Sequence, residues 1–333
     1  MSQKRKSPSP ILLNLTDMGN PFKQKTFDVV NFFEDSPIVG AHIDYEYALK
    51  FIYSYRGSVA TFNAYRRELE RLLQWSWRIA EQSVLLLKRE DIEDYVQFCI
   101  NPPLAWIGTA SHLRFIKKDG VLLPNKQWRP YVATLSKEQR RQGKEPQKKR
   151  YTLSQAAIRS LFAILSSFYD YVAQEGVLDS NPVALIRQKS RFLVKEQQLP
   201  TVRRITNLQW DYVIETVEIM SDEFPEKHER TLFILNCLLG MYLRISELVA
   251  DERSIPQMNH FKHDHDNHWW FHVIGKGNKS RKIAVSMAML KALKRYRRSM
   301  ALTPLPAQDD ASPLIPKLRG NGPVRSSRQE SRG

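Results

Sequence analysis

Leu239-Gly240-Met241-Tyr242-Leu243-Arg244-Ile245-Ser246-Glu247-Leu248 and, downstream, Val273-Ile274-Gly275-Lys276-Gly277-Asn278-Lys279-Ser280-Arg281-Lys282-Ile283-Ala284-Val285 are the two strings on which the fold of this chain turns. The apolar run from about Arg230 to Leu239 has helical spacing, and Gly240 suits its C-terminal cap. Arg244 then opens a short helix. Glu247 follows one turn later, a spacing at which a carboxylate can orient a guanidinium. In the second string, Trp269–Ile274 and Lys282–Val285 read as strands, with Gly275, Gly277 and Asn278 supplying the turn. That pattern predicts a β-hairpin with Lys276 at its tip. Ser286 next caps a helix bearing Met289, Leu290, Leu293 and Tyr296. Its other face carries Lys291, Lys294, Arg295, Arg297 and Arg298, read as exposed.

Upstream, Thr206 and Gln209 have capping-box spacing and precede Trp210, Val213, Ile214 and Val217 at helical steps. Residues 187–205 carry six basic residues, Arg203 and Arg204 among them, against Glu196 alone, and read as an interdomain linker. Thr152 and Gln155 repeat the capping-box spacing before the apolar stripe Ile158, Leu161, Phe162, Leu165, Phe168, Tyr169 and Val172, which ends at Gly176. A further helix is read from Thr61, with Phe62, Tyr65, Leu69, Leu72 and Leu73 on one face, and a shorter one from Ile92 to Cys99, stopped by Pro102-Pro103. Residues 101–150 are basic and lack a clean period, and 137–150 alone hold seven Lys and Arg. Such a run contacts a DNA backbone or is a solvated loop.

Lys and Arg total 51 against 35 Asp and Glu, a net charge of +16. A surplus of this size favours a polyanionic partner, because each neutralised phosphate releases condensed counterions. Hydrophobic residues are 42% of the chain, enough for sizeable cores. Cys99 and Cys237 are far apart in apolar surroundings and read as small buried hydrophobes, which fits a reducing compartment. The basic N-terminus has no apolar h-region behind it, so no signal peptide is read. No apolar run is long enough to span a bilayer.

With these elements in order, the segment 206–300 resembles the tyrosine recombinase (phage integrase) family. The match is the sequence helix, helix, Gly-x-x-Leu-Arg-x-Ser-Glu-Leu, small sheet, Gly-Lys-Gly-x-Lys-x-Arg hairpin, helix. The segment from about 45 to 190, with its Asn181-Pro182-Val183 ending, resembles the family's helical core-binding domain more loosely. The expected class is mainly α with a small antiparallel sheet (α+β). The expected plan is a flexible basic arm at 1–40 and a helical core-binding (SAM-like) DNA-binding domain at 41–190 with its basic insertion. A basic linker at 191–205, the first half of a catalytic domain at 206–300 and an irregular tail at 301–333 complete it.

The resemblance implies site-specific DNA recombination or integration by a mobile element's enzyme. Strands are cut and rejoined through a phosphotyrosine link, without metal or other cofactor. It implies double-stranded DNA as partner, self-association on that DNA, no membrane and no small-molecule substrate, and a cytoplasmic place on the bacterial nucleoid. It assigns Arg244 as the first catalytic arginine, Glu247 as its acidic support and Lys276 as the acid that protonates the leaving 5′-oxygen. Arginine suits charge stabilisation at a phosphodiester, since its planar fork stays charged and donates to two oxygens. Lys279 and Arg281 are read as phosphate contacts, with Lys279 the acid if the register slips by three, and Arg203 and Arg204 as contacts to DNA from the linker. A surface arginine at position 244 and an ordinary exposed glutamate at 247 are the alternatives.

His260, His263, His265, His268 and His272, with Asp264 and Asp266, superficially suggest a metal site, but their spacing fits no zinc pattern and they are read as a polar loop. The family's later His-x-x-Arg pair and nucleophilic tyrosine are not found, so the chain reads as truncated and without a nucleophile. The alternative function is therefore a DNA-binding module without catalysis. A catalytic half without its covering helices is expected to be marginally stable.

Overall fold

In the computed structural model of this chain, described for residues 8–18, 38–119, 121–184, 186, 192, 205–251, 254–275, 279–318 and 321–325, two units are distinguished. They are Met1–Gln198 and Leu199–Gly333. The fold class is the expected one, mainly α with a small antiparallel sheet.

The first unit is built on α1 (Ala41–Ser54), α2 (Val59–Trp75), α3 (Arg89–Ile100) and the long helix Gln155–Gln174. Ser58 caps α2 by accepting from the Thr61 amide, and Phe62, Leu69, Leu72 and Leu73 on its inner face are buried. The long helix starts at Ser154, whose hydroxyl accepts from the Ala157 amide. The cap is thus Ser154 and not Thr152, because Thr152 precedes the helical turn by two residues. Gly176, at φ +73°, ends this helix as expected. Asp44 on α1 is buried and accepts from Trp77 Nε1, Ser83 Oγ and the Val84 amide, which pins α1 to the segment after α2. Burial raises its carboxyl above the usual aspartate range despite these donors.

Two stretches of this unit depart from what composition suggests. Residues 8–18 are not a free arm: Ile11 and Leu12 sit in the core. Their amides donate to the buried Glu70 carboxylate at 2.6 and 2.9 Å. The basic stretch after Pro103 also has structure. β1 (Ile107–Gly108) pairs in parallel with β4 (Tyr131–Val132), and between them β2 (Phe115–Lys118) and β3 (Val121–Pro124) form an antiparallel hairpin. A short helix, α4 (Lys137–Arg141), lies in the basic run before the long helix, which is α5.

In the second unit, α6 (Asn207–Glu223) begins at the Thr206–Gln209 capping box. Helix α7 (Pro225–Gly240) packs between α6 and α9 (Met287–Ser299). Gly240 is the last helical residue rather than the cap. The chain turns instead at Met241 and at Tyr242, which takes the left-handed φ of +50°. The sheet is β5 (Phe261–His263), β6 (Trp269–Ile274) and β7 (Ser280–Ala284), all antiparallel in the order β5-β6-β7. Its core joins Phe233, Cys237, Phe261, Phe271, Leu293 and Tyr296. Phe233 and Tyr296 stack with centroids 4.4 Å apart.

The tail is irregular but packed. Leu314 and Ile315 are buried in this same core, and the Met258 amide donates to Ser312 O at 2.9 Å. Arg297, expected on an exposed face, is 2% exposed and donates to Asp310 Oδ2 at 2.7 Å and to Thr303 O at 2.7 Å. The tail thus covers apolar surface of this second core.

Candidate functional site

Glu247 organises the site. It lies in α8 (Ile245–Leu248), a single turn for which Arg244 is the N-terminal flanking residue. The Glu247 side chain is 2% exposed, so the alternative of an ordinary surface glutamate does not hold. Its Oε2 accepts from the Arg244 amide at 2.9 Å and its Oε1 from Arg244 Nη1 at 3.0 Å. The backbone amide of Arg244 is therefore taken by the carboxylate and is not free for a phosphate. Arg281 donates to the same carboxylate from the far strand of the hairpin, Nη1 to Oε1 at 2.9 Å and Nη2 to Oε2 at 2.8 Å.

Two guanidinium groups and one amide thus converge on a single buried carboxylate. These hydrogen bonds, that of Arg281 first, hold the Glu247 carboxyl down to about 2, against the desolvation that opposes them. The same contact raises the Arg281 guanidinium further above its ordinary value. Arg244 keeps 66% of its side chain exposed, so its guanidinium is anchored at one nitrogen and open beyond it.

The hairpin stands where the turn residues predict it. β6 and β7 pair with Ile274 opposite Ser280, and the Gly275 amide donates to Lys279 O at 2.8 Å. Its base presses against the carboxylate: a Cβ on Gly275 would lie 3.2 Å from Arg281 Nη1 and 3.3 Å from Glu247 Oε1. A side chain here would be tight against both groups. Lys279 is exposed beside this base. Lys276, Arg203 and Arg204 lie outside the described residues, so no position is assigned to them.

Arg281, expected as a phosphate contact, turns its terminal nitrogens to Glu247 instead, although 38% of its side chain remains accessible. Its place on β7 is legible in the sequence, but a partner far back in the chain is not. Arg295, expected on a free basic face, donates to Glu229 and Asp222.

The histidine-rich stretch is not a loop throughout. His260 ends a 3-10 turn and His263 and His272 lie in strands, while Asp264 organises the connecting turn. Its carboxylate accepts from the amides of Asp266 and His268 and from Trp270 Nε1. Ligand atoms of Asp264, Asp266 and His268 come within 4.8 Å of one another at the surface. Among the described residues, no helix is long and apolar enough to cross a membrane.

No family model matches the chain. Its sequence is 25% identical over 173 residues to the tyrosine recombinase XerC of Chlorobaculum parvum, a match covering 49% of this chain and 49% of that protein. The chain thus spans about half the length of the curated relative it matches. Two solved structures of the XerH site-specific recombinase also align. The pre-cleavage complex with difH substrate covers 97% of this chain and 79% of its own, at 11% identity and a TM-score of 0.46. The post-cleavage complex with palindromic difH covers 92% and 70%, at 12% identity and a TM-score of 0.45.

Proposed function

We propose that this chain is a member of the tyrosine recombinase family, that it binds duplex DNA and that it carries residues of a strand-cleavage site. In this reading Arg244 meets the non-bridging oxygens of the scissile phosphate. Glu247 holds the arginine in place, and Lys276 delivers a proton to the leaving 5′-oxygen. The observation that carries the proposal is the Glu247 carboxylate. It is buried, ionised and shared between Arg244 and Arg281, while most of the Arg244 side chain stays open. A buried carboxylate that fixes one end of an exposed guanidinium preorganises positive charge for an oxyanion, which lowers the barrier without reorganisation at the moment of reaction. The assignment of Lys276 rests on its place in the Gly-Lys-Gly-x-Lys-x-Arg string. Lys279, at the other side of the turn, is the second candidate for the proton donor.

The first unit, with its basic insertion at 101–150, and the linker residues Arg203 and Arg204 are proposed to contact the DNA backbone. The activity proposed is site-specific recombination of a mobile element, through a phosphotyrosine intermediate and with self-association on DNA. Its place is the bacterial cytoplasm. No metal is invoked.

A second reading, DNA binding without cleavage by this chain, is favoured by Tyr296. That residue is 2% exposed. Its hydroxyl is pushed up to about 12 by burial. It packs on Phe233 and is not placed to attack a phosphate. A nicked suicide duplex separates the two readings. A covalent adduct on a denaturing gel, abolished by Arg244→Ala, supports cleavage. A salt-sensitive mobility shift without adduct supports the binding module, and absence of any shift overturns both.

A further inference from the structure

The hairpin of β2 and β3 has no neighbouring strand and belongs to no larger sheet among the described residues. Its register places Ile116 opposite Leu123 and Lys118 opposite Val121. These four side chains therefore share one face of the ribbon. Ile116 is 50%, Val121 59% and Leu123 45% exposed. A two-stranded hairpin is marginal by itself in water, and exposed apolar side chains on both its faces, Leu122 opposite Lys117 being 37% exposed, mark a contact surface.

The root of this ribbon is fixed. Arg114 donates to the buried Glu70 carboxylate of α2 and lies over the Trp128 ring at 5.7 Å. The Asn125 amide donates to Arg114 O at 2.9 Å, and its side chain to Leu113 O at 2.7 Å. A planted base carrying an uncovered tip is an arm.

Charge decides what the arm meets. Between Leu113 and Arg129 the basic residues are Arg114, Lys117, Lys118, Lys126 and Arg129, and the one acidic residue is Asp119. Lys117 and Lys118 are exposed at the turn end of β2. We propose that this ribbon is a DNA-groove arm. It enters the major groove of duplex DNA, which admits a two-stranded ribbon. Ile116, Val121 and Leu123 lie against base edges and thymine methyl groups, while Lys118, at the turn end of that face, and Lys117, on the opposite face, reach out to neutralise flanking phosphates. A second copy of this chain is the less favoured occupant, since it would bring one basic arm against a protein that is itself strongly basic.

This proposal rests on the DNA-binding function proposed for the chain, and the test separates the two. The full chain, its Lys117→Gln/Lys118→Gln variant and its Ile116→Ser/Val121→Ser/Leu123→Ser variant are titrated with duplex DNA across a salt series and footprinted. Thermal unfolding followed by circular dichroism checks that all three fold alike. The expected result is a salt slope lower by about 0.9 for each phosphate that the lysine variant no longer neutralises. Both variants should also lose protection at one edge of the footprint while protection elsewhere persists. Unchanged slope and footprint in both variants overturn the arm and leave DNA binding by the chain standing. No shift with the unsubstituted chain overturns both. A change of oligomeric state in the serine variant, seen by light scattering without DNA and with slope and footprint intact, assigns the ribbon to a protein interface and overturns the arm.

Discussion

Arg281 grips Glu247 with both terminal nitrogens, at 2.9 and 2.8 Å, across the gap between the β-hairpin and the single-turn helix that follows Arg244. The contact couples the arginine of the first sequence string to the hairpin of the second through one carboxylate. Glu247→Ala removes the acceptor for both guanidinium groups and the Arg244 amide. Because both arginines keep access to water, the cost is expected at about 1–3 kcal/mol rather than the larger penalty of a fully buried pair. A lower denaturant midpoint at unchanged m-value checks it. Glu247→Gln, which keeps the shape and removes the charge, should fall between.

The acid limb of stability follows from the same carboxyl. Its ordinary value is 4.5 and in the fold it lies at about 2. A depressed carboxyl contributes stability fully above the unfolded value, and the contribution is lost as pH falls through the folded one. Unfolding midpoints should therefore drop between about pH 4.5 and pH 2. The drop should be shallower in Glu247→Gln, which has no proton to take up there. Identical acid limbs in the two proteins would contradict the assignment.

Gly275→Ala tests the closeness of the hairpin to this pair. The added methyl would stand 3.2 Å from Arg281 Nη1 and 3.3 Å from Glu247 Oε1, two atoms already bound to each other and unable to move independently. A destabilisation of about 1 kcal/mol is expected, within the range for overpacking. Arg281→Ala should relieve the crowding, so the double variant should lose less than the sum of the singles in a double-mutant cycle.

Leu314→Ala tests whether the tail is part of the second core. Leu314 is fully buried there, and truncation of a buried leucine costs about 2–5 kcal/mol. A cooperative fall in melting temperature is the expected outcome, whereas an unchanged melting curve would show the tail to be dispensable.

What local sequence reveals and what it conceals divide along contact distance. The hairpin at 269–285, the Thr206–Gln209 capping box and the Ser286 cap are legible because strand alternation, turn residues and caps act over a few residues. The inward turn of Arg297 is not, because its partner Asp310 lies in a segment with no periodicity. Packing of Ile11 and Leu12 depends on Glu70 of α2, so the basic composition of the N-terminal stretch alone does not reveal that residues 8–18 are packed. The β2–β3 hairpin does carry a local sign: Asp119-Gly120 between Phe115–Lys118 and Val121–Pro124 is a turn dipeptide flanked by strand formers. The surrounding Lys and Arg mask it. At the site itself, helical spacing predicts the Arg244–Glu247 contact, whereas the second arginine comes from long-range pairing.

Arg244, held at one nitrogen by Glu247, is proposed to present its open side to a DNA phosphate. Affinity of the full chain and of Arg244→Ala for a duplex, measured by mobility shift from low to moderate salt, tests it most directly. Weaker binding by the variant and a log–log salt slope smaller by about 0.9 are expected, with the fold unchanged by circular dichroism. Equal affinity and equal slope for the two proteins would contradict it.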